Sequence, residues 1–148
     1  MGTISNKIDF AVVLSVKNAN PNGDPLNGNR PRINYDGFGE ISDVCLKRKI
    51  RNRLMEAGFS IFVQSDDNRV DEYKNLKARA EGEIDASNRR NSRDFAATAC
   101  QKWIDVRAFG QVFAFKGEAS GEGTSIGIRG PVSIHPAFSL EPINTTSI

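Results

Sequence analysis

The chain has 148 residues, 39% of them hydrophobic, which is enough for one real core because a domain of this size buries roughly two-thirds of the surface its unfolded chain exposes. A formal charge of +2 is too small to announce a nucleic-acid binder, so only its distribution can do that. Two distant cysteines (Cys45 and Cys100) and a single histidine, His135, argue against a zinc site.

No apolar stretch approaches the ~20 residues of a membrane span, and the start of the chain lacks a signal-peptide pattern. The expected setting is therefore the cytoplasm, with both thiols reduced and no membrane partner.

Residues 9–17 alternate, with Phe10, Val12, Leu14 and Val16 on one face, and predict a strand with one buried side. The following Pro-Asn-Gly-Asp-Pro at 21–25 cannot continue it, because proline lacks a donor and glycine tolerates positive φ. An ordered turn and a long loop are expected there.

A helix follows, capped by Ser42 or Asp43 and closed by Gly58. Its Leu46, Ile50, Leu54 and Ala57 fall in one stripe expected to face the core. Lys47, Arg48 and Arg51 share an arc of about 100° beside that stripe, with Lys49 and Arg53 on the other flank. Between Arg30 and Arg53 seven basic residues stand against three acidic ones, so the positive field is local.

Residues 59–64 read as a short second strand. Residues 65–91 are polar and mixed in charge and read as a peripheral insertion with a solvated surface. A helix is expected over 92–103, with Phe95, Ala99 and Trp103 spaced at four. Alternation then predicts a strand over 104–115, joined through a Gly-rich tip at 117–123 to a strand over 124–134 as a hairpin. The tail from 137 onward reads as extended, without a closing element.

Asn-Pro-Asn-Gly-Asp-Pro after the first strand, Gly-Asn-x-Pro-Arg at 28–32, Asp-Val-Cys-Leu-Lys-Arg-Lys-Ile-Arg-Asn at 43–52, Asp-Val-Arg-x-Phe-Gly at 105–110 and Ile-Arg-Gly-Pro-Val at 128–132 stand in that order along the chain. Together they resemble the Cascade backbone subunit of type I-C CRISPR systems, the Csd branch of the Cas-seven family. The resemblance covers nearly the whole chain but about the first half of a family member.

The resemblance implies an α+β fold: a modified RNA-recognition-motif (ferredoxin-like) core, incomplete here, with a helical and loop insertion in a single domain. It also implies a non-catalytic subunit that binds CRISPR RNA and presents bases for target DNA pairing. The implied partners are further copies of the chain and other Cascade subunits. No cofactor or metal is called for. The alternatives are a relative that cleaves RNA through a loop aspartate, for which Asp24 and Asp36 are placed soon after the first strand, and a stand-alone RNA-binding domain.

Candidate RNA contacts follow from residue chemistry and the resemblance together. Lys47, Arg48 and Arg51 would meet phosphates from a rigid helix, against the reading of a solvated basic face. Ser42 sits at the positive helix end, where an anion is favoured. Arg30 and Arg32 lie in a loop between prolines and glycines, and Arg129 precedes Gly130.

For 20–25 a structural turn leads, with ligand contact through Asn22, Gly23 and Asp24 beside it; the fixed Gly and distant Glu of a calcium loop are missing. Trp103, Phe109 and Phe113 read first as core and only second as base-stacking platforms. His135 has no acid-base partner nearby in sequence and reads as incidental.

Overall fold

The computed structural model describes residues 4–89, 91–116 and 123–145. The protein is α+β, built from helices and short antiparallel ribbons. It divides into two compact units, one of residues 1–40 with 138–148 and one of residues 41–137.

In the first unit the turn region folds on itself. Strands β1 (Gly23–Asp24) and β2 (Arg30–Pro31) pair antiparallel around a 3-10 turn at Pro25–Asn27. β3 (Phe38–Ile41) pairs with a strand formed by the tail, here called β6 (Ala137–Pro142). The tail therefore has a partner that its composition does not reveal: Ser139 Oγ accepts from the Gly39 amide at 2.9 Å, and the Ile143 amide donates to the Gly37 carbonyl at 3.0 Å. Residues 9–17, predicted as a strand, make no strand pairing among the described residues, and Phe10, Val12, Leu14 and Val16 stay exposed. Alternation supplies a strand-compatible face, but a strand exists only when an edge pairs with it.

The second unit contains every fully buried residue among those described. Helix α1 (Asp43–Glu56) starts at Ser42, whose Oγ accepts from the Cys45 amide. It ends with Gly58 at φ 84°, where the Gly58 amide bonds Met55 and the Phe59 amide bonds Leu54. That paired closure needs a left-handed residue, which glycine supplies without a Cβ clash.

Helices α2 (Leu76–Glu83), α3 (Ala86–Arg89) and α4 (Ser92–Lys102) follow, the first and last capped by Asn75 and Asn91. The segment 65–91 is thus not merely surface: α2 places Ala80 in the core, and Ile84 follows it there. Weak periodicity hid this because α2 is only eight residues long and mixes Leu76, Ala78 and Ala80 with five polar or glycine positions.

Residues 104–115 differ from the predicted strand. They form helix α5 (Ile104–Phe109) and then β4 (Gly110–Lys116), which pairs in register with β5 (Gly123–Arg129) from Gly110↔Arg129 to Lys116↔Gly123. The predicted hairpin is present, and its tip lies outside the described residues. Asp105 and Val106 must both be buried; adjacent residues cannot share a strand face, but they can share a helix flank. The helix stops at Gly110, φ 79°, and the chain crosses itself there: a Cβ on Gly110 would collide with the Ile128 carbonyl, and one on Gly130 with the Ala108 carbonyl.

The core cluster joins Phe62, Ala80, Ile84, Phe95, Ala99, Trp103, Val106, Phe113 and Ile126. Its aromatics interlock, with Phe62 and Trp103 centroids 4.6 Å apart and Phe95 edge-on to Phe113 at 4.8 Å. Trp103 and Phe113 therefore serve packing.

Candidate nucleic-acid interface

Helix α1 presents its charges differently from the expected arrangement. No residue of α1 is fully buried, and the stripe of Leu46, Ile50 and Leu54 is only half-covered. The flank that points into the unit carries Arg48 and Arg51 instead.

Arg51 Nε donates to Asp105 Oδ2 at 2.9 Å, and its guanidinium lies 5.2 Å from the Phe109 ring centroid. Arg48 donates to the Val63 carbonyl at 2.8 Å. Burial, and then the adjacent Arg51 charge, pull Arg48 below the usual guanidinium range. Asp105, with a side chain 0% exposed, also accepts from the Phe62 and Val63 amides at 2.8 and 3.0 Å. Arg79, equally enclosed, donates to the Phe62 carbonyl at 2.8 Å and grips Asp71 with two nitrogens.

Three of these charged groups, Asp105, Arg79 and Arg48, explain residues 59–64. The segment reads as a strand but has no strand neighbour among the described residues, so the amides and carbonyls of Phe62 and Val63 need other partners. Asp105, Arg79 and Arg48 provide them. A carboxylate and two guanidiniums are strong enough to hold a buried backbone in place of a ladder.

The remaining candidates are more available to solvent. Lys47 pairs with Asp43 at 3.0 Å, one turn back, and this bond first of all holds the Asp43 carboxyl below its usual range. Arg32 is half-exposed and pairs with Glu40 at 3.3 Å. Arg30 and Arg129 are exposed and take no ion pair among the described residues. Lys49, which the motif reading placed on the far flank, is in the same condition.

The turn at 20–25 is internally satisfied. Asp24 Oδ1 accepts from the Leu26 amide at 3.0 Å, Asn20 donates to the Asn29 carbonyl at 2.6 Å, and the Asn22 carbonyl accepts from the Arg32 amide at 2.8 Å. Asn22 Nδ2 donates to the Gly23 carbonyl, and Gly23 lies hard against the Asn29 side chain. The motifs at 20–25 and 28–32 are one hairpin that displays Arg30.

Tyr35, overlooked in the sequence, is fully exposed at a second turn. Asn34 Oδ1 fixes that turn by accepting from the Asp36 and Phe38 amides at 3.0 and 2.9 Å. The Asn-x-Asp-Gly pattern there is the signal that could have found it.

Among the described residues no group of three or more His, Cys, Asp or Glu side chains could hold a metal ion. Burial raises the Cys100 thiol, away from the thiolate form that nucleophilic chemistry needs. No described helix is long and apolar enough to cross a membrane.

Comparison with known proteins adds the family. The family model for CRISPR-associated protein Cas7 matches residues 6–148. The chain belongs to the Cas7 family. The curated CRISPR-associated protein Cas7 of Haloferax volcanii is 31% identical over 153 aligned positions, covering 95% of this chain and 45% of that relative. The chain thus spans about half the length of the curated relative it matches. Within this Cas7-family chain, the Asp105 motif and the 43–52 motif meet physically through Arg51 and Asp105, which gives the two sequence patterns a common structural task.

Proposed function

We propose that this chain is part of a non-catalytic backbone subunit of a type I-C Cascade complex, holding CRISPR RNA by its phosphates and leaving the bases free to pair with target DNA. The reading places it in the cytoplasm with other copies of itself and other Cascade subunits. The observation that carries it, beside family membership, is the division of labour among the basic residues: Arg48 and Arg51 brace the fold, while Arg30, Lys49 and Arg129 stand exposed without ion pairs among the described residues. Exposed cations on ordered elements suit a polyanion whose sequence must not matter.

The test is RNA binding by fluorescence anisotropy across a salt series, with several unrelated guide sequences. Each of Arg30→Ala, Lys49→Ala and Arg129→Ala should reduce affinity alike for all guides and shrink the log–log salt slope by ~0.7, the single-strand value per phosphate contact. Unchanged slopes in all three, or losses confined to one guide, would refute phosphate scaffolding.

The loop-aspartate alternative is disfavoured by what Asp24 does. One of its carboxylate oxygens caps the 3-10 turn at Pro25–Asn27, a structural duty.

A further inference from the structure

Two Asn-Gly steps lie in the hairpin of β1 and β2, at Asn22-Gly23 and at Asn27-Gly28. An asparagine before glycine is open to an intramolecular reaction, because a following residue without a Cβ lets its amide nitrogen reach the side-chain carbonyl carbon. Sequence makes the two steps equivalent. The fold restrains only one of them.

Asn22 is half-buried; its Nδ2 donates to the Gly23 carbonyl at 3.1 Å, and its own main-chain carbonyl accepts from the Arg32 amide at 2.8 Å. Gly23 stands in β1 opposite Pro31, hard against the Asn29 side chain. Rotation of the backbone there would break the hairpin. Asn27 instead ends the 3-10 turn at Pro25–Asn27, its side chain exposed and without a hydrogen bond among the described residues. Leu26 beside it is 98% exposed, and a Cβ built on Gly28, at φ 60°, would meet nothing within 4 Å. The turn is held at its ends, by Asp24 Oδ1 on the Leu26 amide and by the Asn29 amide on the Asp24 carbonyl. Local opening is least opposed where few contacts hold the chain. All these restraints lie within residues 22–32, so the hairpin itself sets the difference.

We propose that Asn27 is a deamidation site of the folded chain and converts ahead of Asn22. The Gly28 amide nitrogen loses its proton and attacks Asn27 Cγ; the Cγ–Nδ2 bond breaks, Nδ2 takes up a proton and leaves as ammonia, and a succinimide ring remains. Water then opens the ring. Attack at the Cγ carbonyl yields aspartate, and attack at the main-chain carbonyl yields isoaspartate, which routes the backbone through Cβ and lengthens it by one atom. Either product places a new carboxylate three residues before Arg30, the cation that this hairpin displays.

The experiment is incubation of the full chain in mildly alkaline buffer, with timed samples digested and mapped by mass spectrometry and isoaspartate detected by enzymatic methylation. In the folded chain Asn27 should convert about tenfold faster than Asn22, which corresponds to ~1.4 kcal/mol of extra restraint at Asn22. In urea, where the hairpin is lost, the two rates should converge. Asn27→Gln should remove the fast product and leave the rate at Asn22 unchanged. A folded chain in which Asn27 stays intact, matches Asn22 or lags behind it overturns the proposal, and so does a difference that persists undiminished in urea. The consequence for RNA rests on the phosphate-scaffold reading and is measured apart: Asn27→Asp should weaken binding alike for all guides. Should Arg30→Ala leave the salt slope unchanged, that reading fails at Arg30, while the mass measurement still decides the deamidation site.

Discussion

Arg51 and Asp105 lie 54 residues apart in sequence and meet at 2.9 Å, with the aspartate wholly enclosed and the arginine side chain 13% exposed. The carboxylate serves three donors at once: the guanidinium and two consecutive backbone amides. α1, α5 and the segment at 61–63 are thereby tied at one point.

Removing that carboxylate strands a nearly buried guanidinium and two backbone amides, that of Phe62 buried and that of Val63 partly so. Asp105→Ala should destabilise the protein by about 3–5 kcal/mol, the range for breaking a buried pair by deleting one partner. Chemical denaturation followed by Trp103 fluorescence measures it, and a loss below about 1 kcal/mol would show the site to be tolerant.

Lys47 and Arg51 should separate in their effects. Lys47→Ala removes only a solvent-screened surface pair with Asp43, so any loss of RNA affinity would reflect a phosphate contact and come with a smaller salt slope. Arg51→Ala should lower stability by kcal/mol amounts and leave the slope of the folded fraction nearly unchanged. The reverse ranking in a salt titration paired with denaturation would put Arg51 on the RNA.

Acid should loosen the 65–91 segment through Asp71. Its hydrogen bond from Arg79, first among the causes, holds its carboxyl below the ordinary range. The folded value is thus lower than the unfolded one, so the contribution is complete above the ordinary carboxylate value of about 4 and is lost as pH falls through the folded value. Asp71→Asn should flatten part of that acid limb in denaturation curves collected at stepwise lower pH. An unaltered acid limb would contradict the assignment.

Gly110→Ala should be among the most damaging single-carbon additions in the chain. Its φ of 79° with ψ of 168° is a conformation essentially reserved for glycine, and the new methyl would strike the Ile128 carbonyl; backbone strain alone costs about 1–3 kcal/mol, and the collision adds to it. Gly127, beside which an added Cβ meets nothing within 4 Å, is the control, and thermal melts of the two alanine variants should differ by several degrees.

Asp24 should show no chemistry. With bound guide, complementary RNA or DNA and Mg²⁺, all strands should stay intact on gel analysis, and Asp24→Ala should do no more than loosen a cap worth about 0.5–2 kcal/mol. Regular metal-dependent cuts that vanish in Asp24→Ala would support the RNA-cleaving alternative.

Helices α1 and α4 were legible from sequence because their signals are local. Ser42 and Gly58 act within a few residues of themselves, and the spacing of Phe95, Ala99 and Trp103 marks the buried face of one helix. The hairpin of β4 and β5 was legible for the same reason, whereas the α+β class came from the motif resemblance. Which flank of α1 turns inward was not: the stripe of Leu46, Ile50 and Leu54 predicted one side, but the unpaired backbone of Phe62 and Val63 draws Arg48, and Asp105 draws Arg51. The pairing of the tail with β3 depends likewise on a partner about a hundred residues away. Periodicity and caps report what a residue offers its near neighbours, whereas the job of a buried charge is set by whichever distant backbone lacks a partner, and only the folded chain brings the two together.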